Sequence, residues 1–229
     1  MRHRVKIIGV VGDSGSGKTT LSAALTQELG SSRVTAICLD DYHRYDRAER
    51  SRLDITALSP ECNRLDLIAE HLHALKNGSA IVKPVYNHLH GTFDPDERLV
   101  PREFVIARGL LALHTPDLRS AFDLTVFLDP DPALRVQWKI ARDTAKRGYT
   151  AEQVRQHISR RQPDVERYIA PQRAYADVVL TYAPAPHGGL ALRAEVQASA
   201  KRELDVILRA AERARCQAVS AASFPVDAR

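Results

Sequence analysis

Residues 9–20 read GVVGDSGSGKTT, and this glycine-rich run limits what the chain can fold into more than any other stretch. Four residues separate Gly12 from Gly17, and Lys18 and Thr19 follow at once, which is the spacing of a phosphate-binding loop. In such a loop consecutive backbone N–H groups surround phosphate oxygens, and glycines let the main chain come close to them. A serine/glycine linker shares the composition, so the flanking segments decide between the two interpretations.

Both flanking segments favour the phosphate loop. The β-branched run VKIIGVV precedes it, and an apolar stripe follows it on one face of a helix that we expect to end at Gly30. This stripe consists of Leu21, Ala24, Leu25 and Leu29. Strand, loop and helix in this order are the context that the motif requires, so the segment predicts a nucleoside triphosphate site. The residues predicted to bind ATP there are Gly12, Asp13, Ser14, Gly15, Ser16, Gly17, Lys18, Thr19 and Thr20.

Short β-branched runs recur along the chain, with helical patterns between several of them, notably at 64–76 and 132–147. The runs cover residues 5–11, 34–40, 80–86, 103–107, 124–129 and 177–182. This alternation predicts an α/β fold of the P-loop NTPase type, with a mostly parallel sheet flanked by helices. Ligands of such sheets bind beyond the carboxyl ends of the strands, where the chain places Asp40, Tyr86, Arg108 and Asp129.

The C-terminal part of the sequence predicts a helical extension. APAPHGG at 183–189 is typical of a linker, which leaves residues 1–182 as the P-loop domain. An apolar stripe then predicts a helix over 190–217, and residues 218–229 are expected to be a frayed tail. The stripe consists of Leu192, Val196, Ala200, Leu204, Ile207, Ala211 and Ala214. Such a helix either packs on its own domain or forms a contact in a homodimer.

Composition argues against several classes of partner. The net charge is +5, but the basic residues are dispersed and aromatic residues make up only 6%, which favours small anionic substrates over nucleic acid. No apolar run approaches the length of a membrane span, and no signal-peptide core follows the start. Three cysteines without CxxC spacing predict reduced thiols and a cytoplasmic location.

A second group of polar residues follows the second predicted strand, where residues 38–47 read CLDDYHRYDR. A kinase needs a carboxylate to accept the proton of the attacking hydroxyl and cations to orient an anionic acceptor. Asp40 or Asp41 can supply the first, and His43 and Arg47 the second. Either aspartate can instead cap a turn, and the residues alone leave this alternative open.

Four blocks of the sequence resemble the phosphoribulokinase/uridine kinase family of P-loop kinases. They are CLDDYHRYDR, ALKNGSAIVKPVYNHLHGTFDP, WKIARDTAKRGYT and RRQPDVERYIAPQRAYADVVL. The resemblance runs from about residue 5 to residue 182, so residues 1–182 are expected to be a kinase domain. The DDYHRYDR and YNH blocks are more similar to the phosphoribulokinase branch than to the uridine kinase branch.

The resemblance implies roles for the residues of these blocks. Lys18 and Thr19 would serve ATP and Mg²⁺, and Asp40 would be the catalytic base. His43 and Arg47 would hold a sugar phosphate. The turn after the third strand would contact the sugar, although it can also be a loop that merely caps a strand; it comprises Tyr86, Asn87 and His88.

The WKIARDTAKRGYT block resembles the family's mobile segment, which closes over the transferring phosphate. Lys139 and Asp143 would be catalytic, Asp143 would also bind the metal with Thr19, and Arg142 and Arg147 would bind ATP. Arg142 would contact the sugar phosphate as well. Residues 139–143 lie within about one helical turn, so their cations can offset the charge of a triphosphate.

Two positions depart from the family pattern. The family's fourth strand ends in a glutamate before Gly-Leu, whereas this chain reads VIARGLL and has Arg108 there. A cation at this point would repel Mg²⁺, so we expect Arg108 to turn toward a substrate phosphate or toward Asp129 or Asp143. Ser16 stands where chloroplast-type members carry a cysteine, so Cys38 is expected to have no disulfide partner at that position.

The resemblance implies an ATP-dependent kinase that phosphorylates a sugar phosphate, with D-ribulose 5-phosphate converted to ribulose 1,5-bisphosphate. Two alternatives stay open at this point. One is a nucleoside kinase of the uridine kinase type, and the other is a non-catalytic nucleotide-binding regulator, which the arginine at position 108 favours.

Overall fold

The computed structural model describes residues 4–197 and 204–222. In this part of the chain the strands are β1 (Lys6–Gly12), β2 (Val34–Cys38), β3 (Ile81–Asn87), β4 (Thr92–Leu99), β5 (Phe104–Gly109), β6 (Leu124–Leu128), β7 (Val178–Pro184) and β8 (Leu190–Val196). The α-helices are α1 (Lys18–Leu29), α2 (Arg47–Arg52), α3 (Leu65–Lys76), α4 (Pro116–Ala121), α5 (Pro132–Arg147), α6 (Ala151–Asp164) and α7 (Leu204–Ala222). None of these helices combines the length and the hydropathy that a membrane span needs.

Six strands form the main sheet in the order β2-β5-β1-β6-β7-β8. All pairs are parallel except β7 with β8. The predicted mostly parallel α/β sheet flanked by helices is therefore confirmed. Because β2 and β1 both run parallel to β5, which lies between them, the carboxyl end of β2 and the phosphate loop after β1 lie at the same edge of the sheet.

Alternating residues of β1 supply the two cores of the domain. Ile7 and Val11 face one side, where they pack with α3 and α4, and Ile8 and Val10 face the other, where they pack with α1 and α7. A strand that is buried on both faces reads as a continuous apolar run, which explains the sequence VKIIGVV. This burial holds the phosphate loop at the centre of the sheet.

The helix predicted over 190–217 is wrong in its first part, because residues Leu190–Val196 form β8, antiparallel to β7. Residues 192–196, LRAEV, alternate apolar and polar residues, and the predicted helical stripe shares Leu192 and Val196 with this pattern. The predicted linker is the end of β7 and a tight turn, in which Ala185 N–H donates to the Gly189 carbonyl. The domain therefore does not end at residue 182.

The C-terminal helix begins at Leu204 among the described residues and continues to Ala222, beyond the predicted end at 217. Residues 218–222 are helical rather than frayed, while 198–203 and 223–229 lie outside the described residues. The helix packs on its own domain, the first of the two predicted alternatives. Ile207, Ala210, Ala211 and Ala214 are buried with residues of α1 such as Leu21.

The third predicted strand also differs from expectation. β3 does not join the main sheet but pairs with β4 in an antiparallel hairpin, with Tyr86 opposite Phe93. β4 reads TFDPDERL and is almost wholly exposed, so it lacks the apolar run that a strand inside the main sheet would need. The hairpin carries Tyr86, Asn87 and His88 at its turn.

Replacement of Ile207 by alanine should test whether α7 belongs to the core of the domain. The side chain is fully buried against the β1–α1 face, so its truncation should lower the free energy of unfolding by about 2–5 kcal/mol in urea titrations. The exposed Gln217→Ala on the same helix is the matched control and should change it by less than about 0.5 kcal/mol. Equal, small effects from both variants would contradict the packing described here.

Candidate active site

The phosphate loop has the geometry that its sequence predicts. Gly12 has a φ of 142°, and a Cβ atom there would lie 2.6 Å from the Leu128 carbonyl oxygen, so no other residue fits. α1 begins directly after Gly17 without a side-chain cap and without an acidic residue in its first turn. Its first N–H groups are therefore free to bind an anion, as the N-terminus of a helix does in phosphate sites.

Lys18 lies inside this loop as a buried cation. Its Nζ donates to the carbonyl oxygens of Gly12 at 2.8 Å and Asp13 at 2.9 Å, which leaves one of its three N–H donors for a ligand. Burial lowers the pKa of Lys18, and the nearby carboxylates of Asp40 and Asp13 oppose this shift. A triphosphate fits this arrangement, because its oxygens would pair with Lys18 and with the free N–H groups of α1.

The two aspartates after β2 have different surroundings. Asp40 lies on the 3-10 turn Leu39–Asp41, where one carboxylate oxygen, Oδ1, accepts a hydrogen bond from the Leu110 N–H at 2.8 Å. Its Oδ2 has no hydrogen-bond partner among the described residues. Asp41 is buried and pairs with the buried Lys83 at 2.5 Å. Asp40 can therefore accept a proton, whereas Asp41 already balances a buried charge.

Helix α5 places a group of cations around Asp143. The carboxylate of Asp143 accepts hydrogen bonds from Lys139 and Arg142, each at 2.8 Å, and Arg147 lies 3.4 Å away. Although burial opposes its ionisation, these hydrogen bonds lower the pKa of Asp143 to about 2. Burial lowers the pKa of Lys139 to about 8, against the effect of Asp143.

The same helix lies over the phosphate loop. Arg142 and Lys139 approach the Ser14 hydroxyl at 3.2 Å and 3.4 Å, and Arg135 forms an ion pair with Asp13. The structure thus brings together the loop and the predicted residues of α5. Arg135 was not predicted, because its partner Asp13 is far away in sequence and Arg135 itself lies outside the four family-like blocks.

The turn of the β3–β4 hairpin is held by Asn87 and Arg47. The Asn87 Oδ1 accepts hydrogen bonds from the N–H groups of Leu89 and His90, both at 3.0 Å, so this side chain caps the turn, which is the alternative left open by the sequence. The guanidinium of Arg47 donates to the carbonyl oxygen of His88 at 2.6 Å. Arg47 therefore positions the turn that carries His88 and keeps its remaining N–H groups for an anion.

Tyr86 is buried and supports two histidines rather than facing the solvent. Its hydroxyl accepts a hydrogen bond from Arg50 at 2.5 Å. Its ring meets the rings of His43 and His88 edge to face, with centroids 4.7 Å and 5.1 Å apart. Burial lowers the pKa of His88. The carboxylate of Asp40 opposes this shift and the guanidinium of Arg147 adds to it, so His88 lies near both of these charged groups.

The hydrogen bonds of Asn63 determine which nitrogen of His43 carries the proton. The Asn63 amide donates to the carbonyl oxygens of Ala57 at 3.1 Å and Ser59 at 2.8 Å, so its Oδ1 must be the acceptor that faces His43 Nδ1 at 2.9 Å. Nδ1 therefore carries the hydrogen, and Nε2 is an acceptor. Burial, reinforced by Arg50, lowers the pKa of His43 to about 4.

With this pKa His43 is neutral at pH 7, and its expected role in holding a sugar phosphate stays a prediction. A neutral acceptor suits a hydroxyl group. Asn63 was not predicted, because it lies 20 residues from His43 and belongs to no motif that the sequence analysis singled out.

Arg108 is the penultimate residue of β5, lies beside Cys38 of β2 and Val10 of β1, and is half-buried. The predicted carboxylate partners are occupied elsewhere, because Asp143 pairs with the cations of α5 and Asp129 pairs with Arg173. No hydrogen bond or ion pair holds the Arg108 guanidinium within residues 4–197 and 204–222. Of the two expected kinds of partner, a substrate phosphate remains.

The neutral state of His43 should appear in the pH dependence of stability. Its pKa is about 4 in the folded protein, against 6.5 for a histidine in an unfolded chain, so between these values the unfolded chain binds more protons. Folding stability should therefore fall as the pH is lowered through this window, by up to about 1.4 kcal/mol per pH unit from this residue. Urea titrations of His43→Gln should give a flatter profile than the wild type. The exposed His90→Gln serves as control, and equal slopes in all three proteins would refute the assignment.

Comparison with known proteins agrees with this geometry. The model of the phosphoribulokinase/uridine kinase family matches residues 7–187. The chain is 45% identical over 181 residues to a phosphoribulokinase of Synechocystis sp., which covers 79% of this chain and 54% of the relative. It is 36% identical over 194 residues to a uridine kinase of Halalkalibacterium halodurans, which covers 82% of this chain and 89% of the relative.

A solved structure shares the fold. The phosphoribulokinase from Rhodobacter spheroides has a TM-score of 0.67 at 20% identity, and the match covers 97% of this chain and all of the other. The chain spans about half the length of the Synechocystis and Arabidopsis thaliana phosphoribulokinases, at 54% and 49%. The family match nevertheless covers most of the chain and includes the phosphate loop, the DDYH turn, the hairpin and α5. The resemblance seen in the sequence is confirmed: the chain belongs to the phosphoribulokinase/uridine kinase family.

Proposed function

We propose that this chain transfers the γ-phosphoryl group of ATP to a hydroxyl of a sugar phosphate, with D-ribulose 5-phosphate as acceptor and ribulose 1,5-bisphosphate as product. The observation that carries the proposal is the free carboxylate oxygen of Asp40 beside the phosphate-loop cation Lys18. The greater identity to a phosphoribulokinase, 45% against 36% for a uridine kinase, supports the choice of acceptor.

In the proposed reaction the acceptor hydroxyl loses its proton to Asp40 while its oxygen attacks the γ-phosphorus. The bond between that phosphorus and the β,γ-bridging oxygen breaks, and ADP leaves. Lys18 and the free N–H groups of α1 offset the charge on the phosphates. The cations that surround Asp143 add to this when Arg142 and Arg147 turn from the carboxylate to the triphosphate.

Mg²⁺ fits the site in part. Thr19 is exposed at the start of α1 beside Lys18, and its hydroxyl can hold a cation that takes its other ligands from phosphates and water. Asp143 becomes a second ligand only when Arg142 releases its Oδ1. The metal would neutralise phosphate charge there. Arg108, which stands in place of the family's glutamate, leaves the site with fewer anionic ligands.

The acceptor pocket combines a neutral group with several cations. His43 offers its Nε2 to a sugar hydroxyl. Arg47 at the hairpin turn and Arg142 at the phosphate loop both carry N–H donors for a phosphate. A neutral nucleoside would need fewer cations and an aromatic surface for its base. This arrangement therefore favours a phosphorylated sugar.

Rates of ADP release with different acceptors test the proposal. Ribulose 5-phosphate should stimulate ADP release far more than ribose 5-phosphate or uridine, because it supplies both the phosphate and the hydroxyl. Stimulation by uridine alone would instead support a nucleoside kinase. ATP binding without turnover on any acceptor would support a non-catalytic regulator.

Replacement of Asp40 by asparagine should lower kcat by about 10²- to 10⁴-fold, because it removes the group that accepts the proton. ATP binding, measured by calorimetry, should change little, since the nucleotide contacts lie on the phosphate loop and α5. Asp41→Asn is the matched control. It should mainly lower the free energy of unfolding, by at most about 3–5 kcal/mol, because among the described residues it leaves the buried Lys83 with only the exposed carboxylate of Glu97, 3.7 Å away. A normal kcat in Asp40→Asn would remove this residue from the mechanism.

Arg108→Glu distinguishes a phosphate ligand from a defect in the metal site. If Arg108 contacts the sugar phosphate, kcat/KM for the acceptor should fall by about 10- to 100-fold, the value of a charged hydrogen bond. Arg108→Met, which removes the charge without reversing it, should show a smaller loss in the same direction. A rise in kcat/KM for Arg108→Glu, with tighter Mg²⁺ binding, would contradict the role proposed for the arginine.

A further inference from the structure

Three metal-binding side chains meet at the acceptor side of the site, and each comes from a different element. Cys38 ends β2, Asp41 lies on the 3-10 turn that follows, and His88 lies on the turn of the hairpin. The thiol sulfur, a carboxylate oxygen and an imidazole nitrogen lie within 4.8 Å of one another. Residues that are distant in sequence therefore form a compact set of sulfur, oxygen and nitrogen donors.

Neighbouring groups hold two of these donors in place. Lys83 binds one oxygen of Asp41 at 2.5 Å, and its Nζ also donates to the Pro84 carbonyl at 2.9 Å. The second oxygen of the carboxylate is left for a cation. Two contacts hold His88 in place. Its ring packs against the ring of Tyr86, and its carbonyl oxygen accepts a hydrogen bond from Arg47. Such supporting contacts orient ligands before a metal arrives.

We propose that Cys38, Asp41 and His88 form a binding site for a thiophilic divalent cation of the Zn²⁺ class, separate from the Mg²⁺ that accompanies ATP. A thiolate, an imidazole and a carboxylate are ligands that suit Zn²⁺, whereas Mg²⁺ takes oxygen ligands and rejects sulfur. Three protein ligands leave a fourth tetrahedral position for water or for an oxygen of a substrate.

Binding replaces water molecules of the hydrated cation by the three protein ligands. A bond forms between the metal and Cys38 Sγ, the S–H bond breaks, and the proton passes to solvent. Arg108, the neighbour of Cys38 in the sheet, favours the thiolate, although burial raises the pKa of the thiol to about 12. The thiolate and Asp41, with Asp40 nearby, offset the positive charges of Lys83 and Arg108.

A metal at this position would inhibit phosphoryl transfer, and this consequence rests on the proposed function. It would tie His88 to the 3-10 turn that carries Asp40 and occupy space that the acceptor needs. The site would then make the enzyme sensitive to Zn²⁺ through a single half-buried thiol.

Absorption spectra with Co²⁺, a spectroscopic substitute for Zn²⁺, test the site without reference to activity. The full chain in excess Mg²⁺ and without nucleotide should show a thiolate-to-cobalt charge-transfer band at one equivalent of Co²⁺, and Zn²⁺ should displace it. Cys38→Ser should abolish the band. His88→Ala should weaken Co²⁺ binding by at least about tenfold, since even loss of a supporting group costs that much.

Another cysteine and another histidine of the chain serve as matched controls. Cys216→Ser, an exposed cysteine on α7, and His90→Ala, two residues from His88, should bind Co²⁺ as the wild type does. The proposal is overturned if no thiolate band forms, or if the band survives in Cys38→Ser. Loss of the band in either control would overturn it equally.

Zn²⁺ titrations of ADP release then test the consequence. Zn²⁺ at about the enzyme concentration should inhibit the wild type in excess Mg²⁺, and Cys38→Ser should keep its activity and lose the inhibition. Equal inhibition of both proteins would show that Zn²⁺ does not inhibit through this site. The Co²⁺ spectra would still test whether the site binds metal. Should the protein prove inactive with every acceptor, the Co²⁺ spectra are unaffected, so failure of the site and failure of the proposed function are distinguishable.

Discussion

A buried ion pair between Asp41 and Lys83 joins the two sides of the acceptor pocket. It links the 3-10 turn after β2 to the β3–β4 hairpin, which has no place in the main sheet. Breaking this pair would leave the buried Lys83 with the exposed Glu97, 3.7 Å away, as its only carboxylate partner in the described part of the chain, so the pair holds the hairpin against the turn. The pair also distinguishes two adjacent aspartates, since the charge of Asp41 balances Lys83, whereas Asp40, within the residues that the structure describes, accepts a hydrogen bond only from a backbone N–H.

Asp143 plays a comparable part on the nucleotide side. Its carboxylate gathers three cations of α5 above the phosphate loop at a point where a triphosphate carries most of its charge. Without nucleotide these cations would repel one another, so the carboxylate stabilises the helix in that state. On the proposed function these cations would turn to the phosphates of the nucleotide, so Asp143 would exchange its partners when ATP binds.

The sequence was sufficient for those features that depend on local patterns. Spacing together with the flanking strand and helix patterns predicted the phosphate loop, and periodicity predicted α3 and α5 to within a residue. It failed at residues 190–196, where LALRAEV fits a strand and a helix equally and the pairing with β7 decides. The expected cytoplasmic location and homodimer stay predictions.

Site residues were harder to predict, since their roles depend on distant partners. The difference between Asp40 and Asp41 comes from Lys83, 42 residues away, and Asn63, 20 residues away, determines which nitrogen of His43 carries the hydrogen. Asn87 matched a family motif, yet its side chain caps the turn that carries His88. Motifs identified the candidate residues, and the hydrogen bonds distinguish their surroundings.

Phosphorus NMR of the reaction products tests the central claim most directly. In a mixture of the chain, ATP, Mg²⁺ and ribulose 5-phosphate, a second sugar phosphomonoester resonance should grow in step with ADP, one for one, while inorganic phosphate stays constant. Growth of ADP with inorganic phosphate and no new sugar phosphomonoester would contradict the account, because ATP would then be hydrolysed rather than used to phosphorylate a sugar.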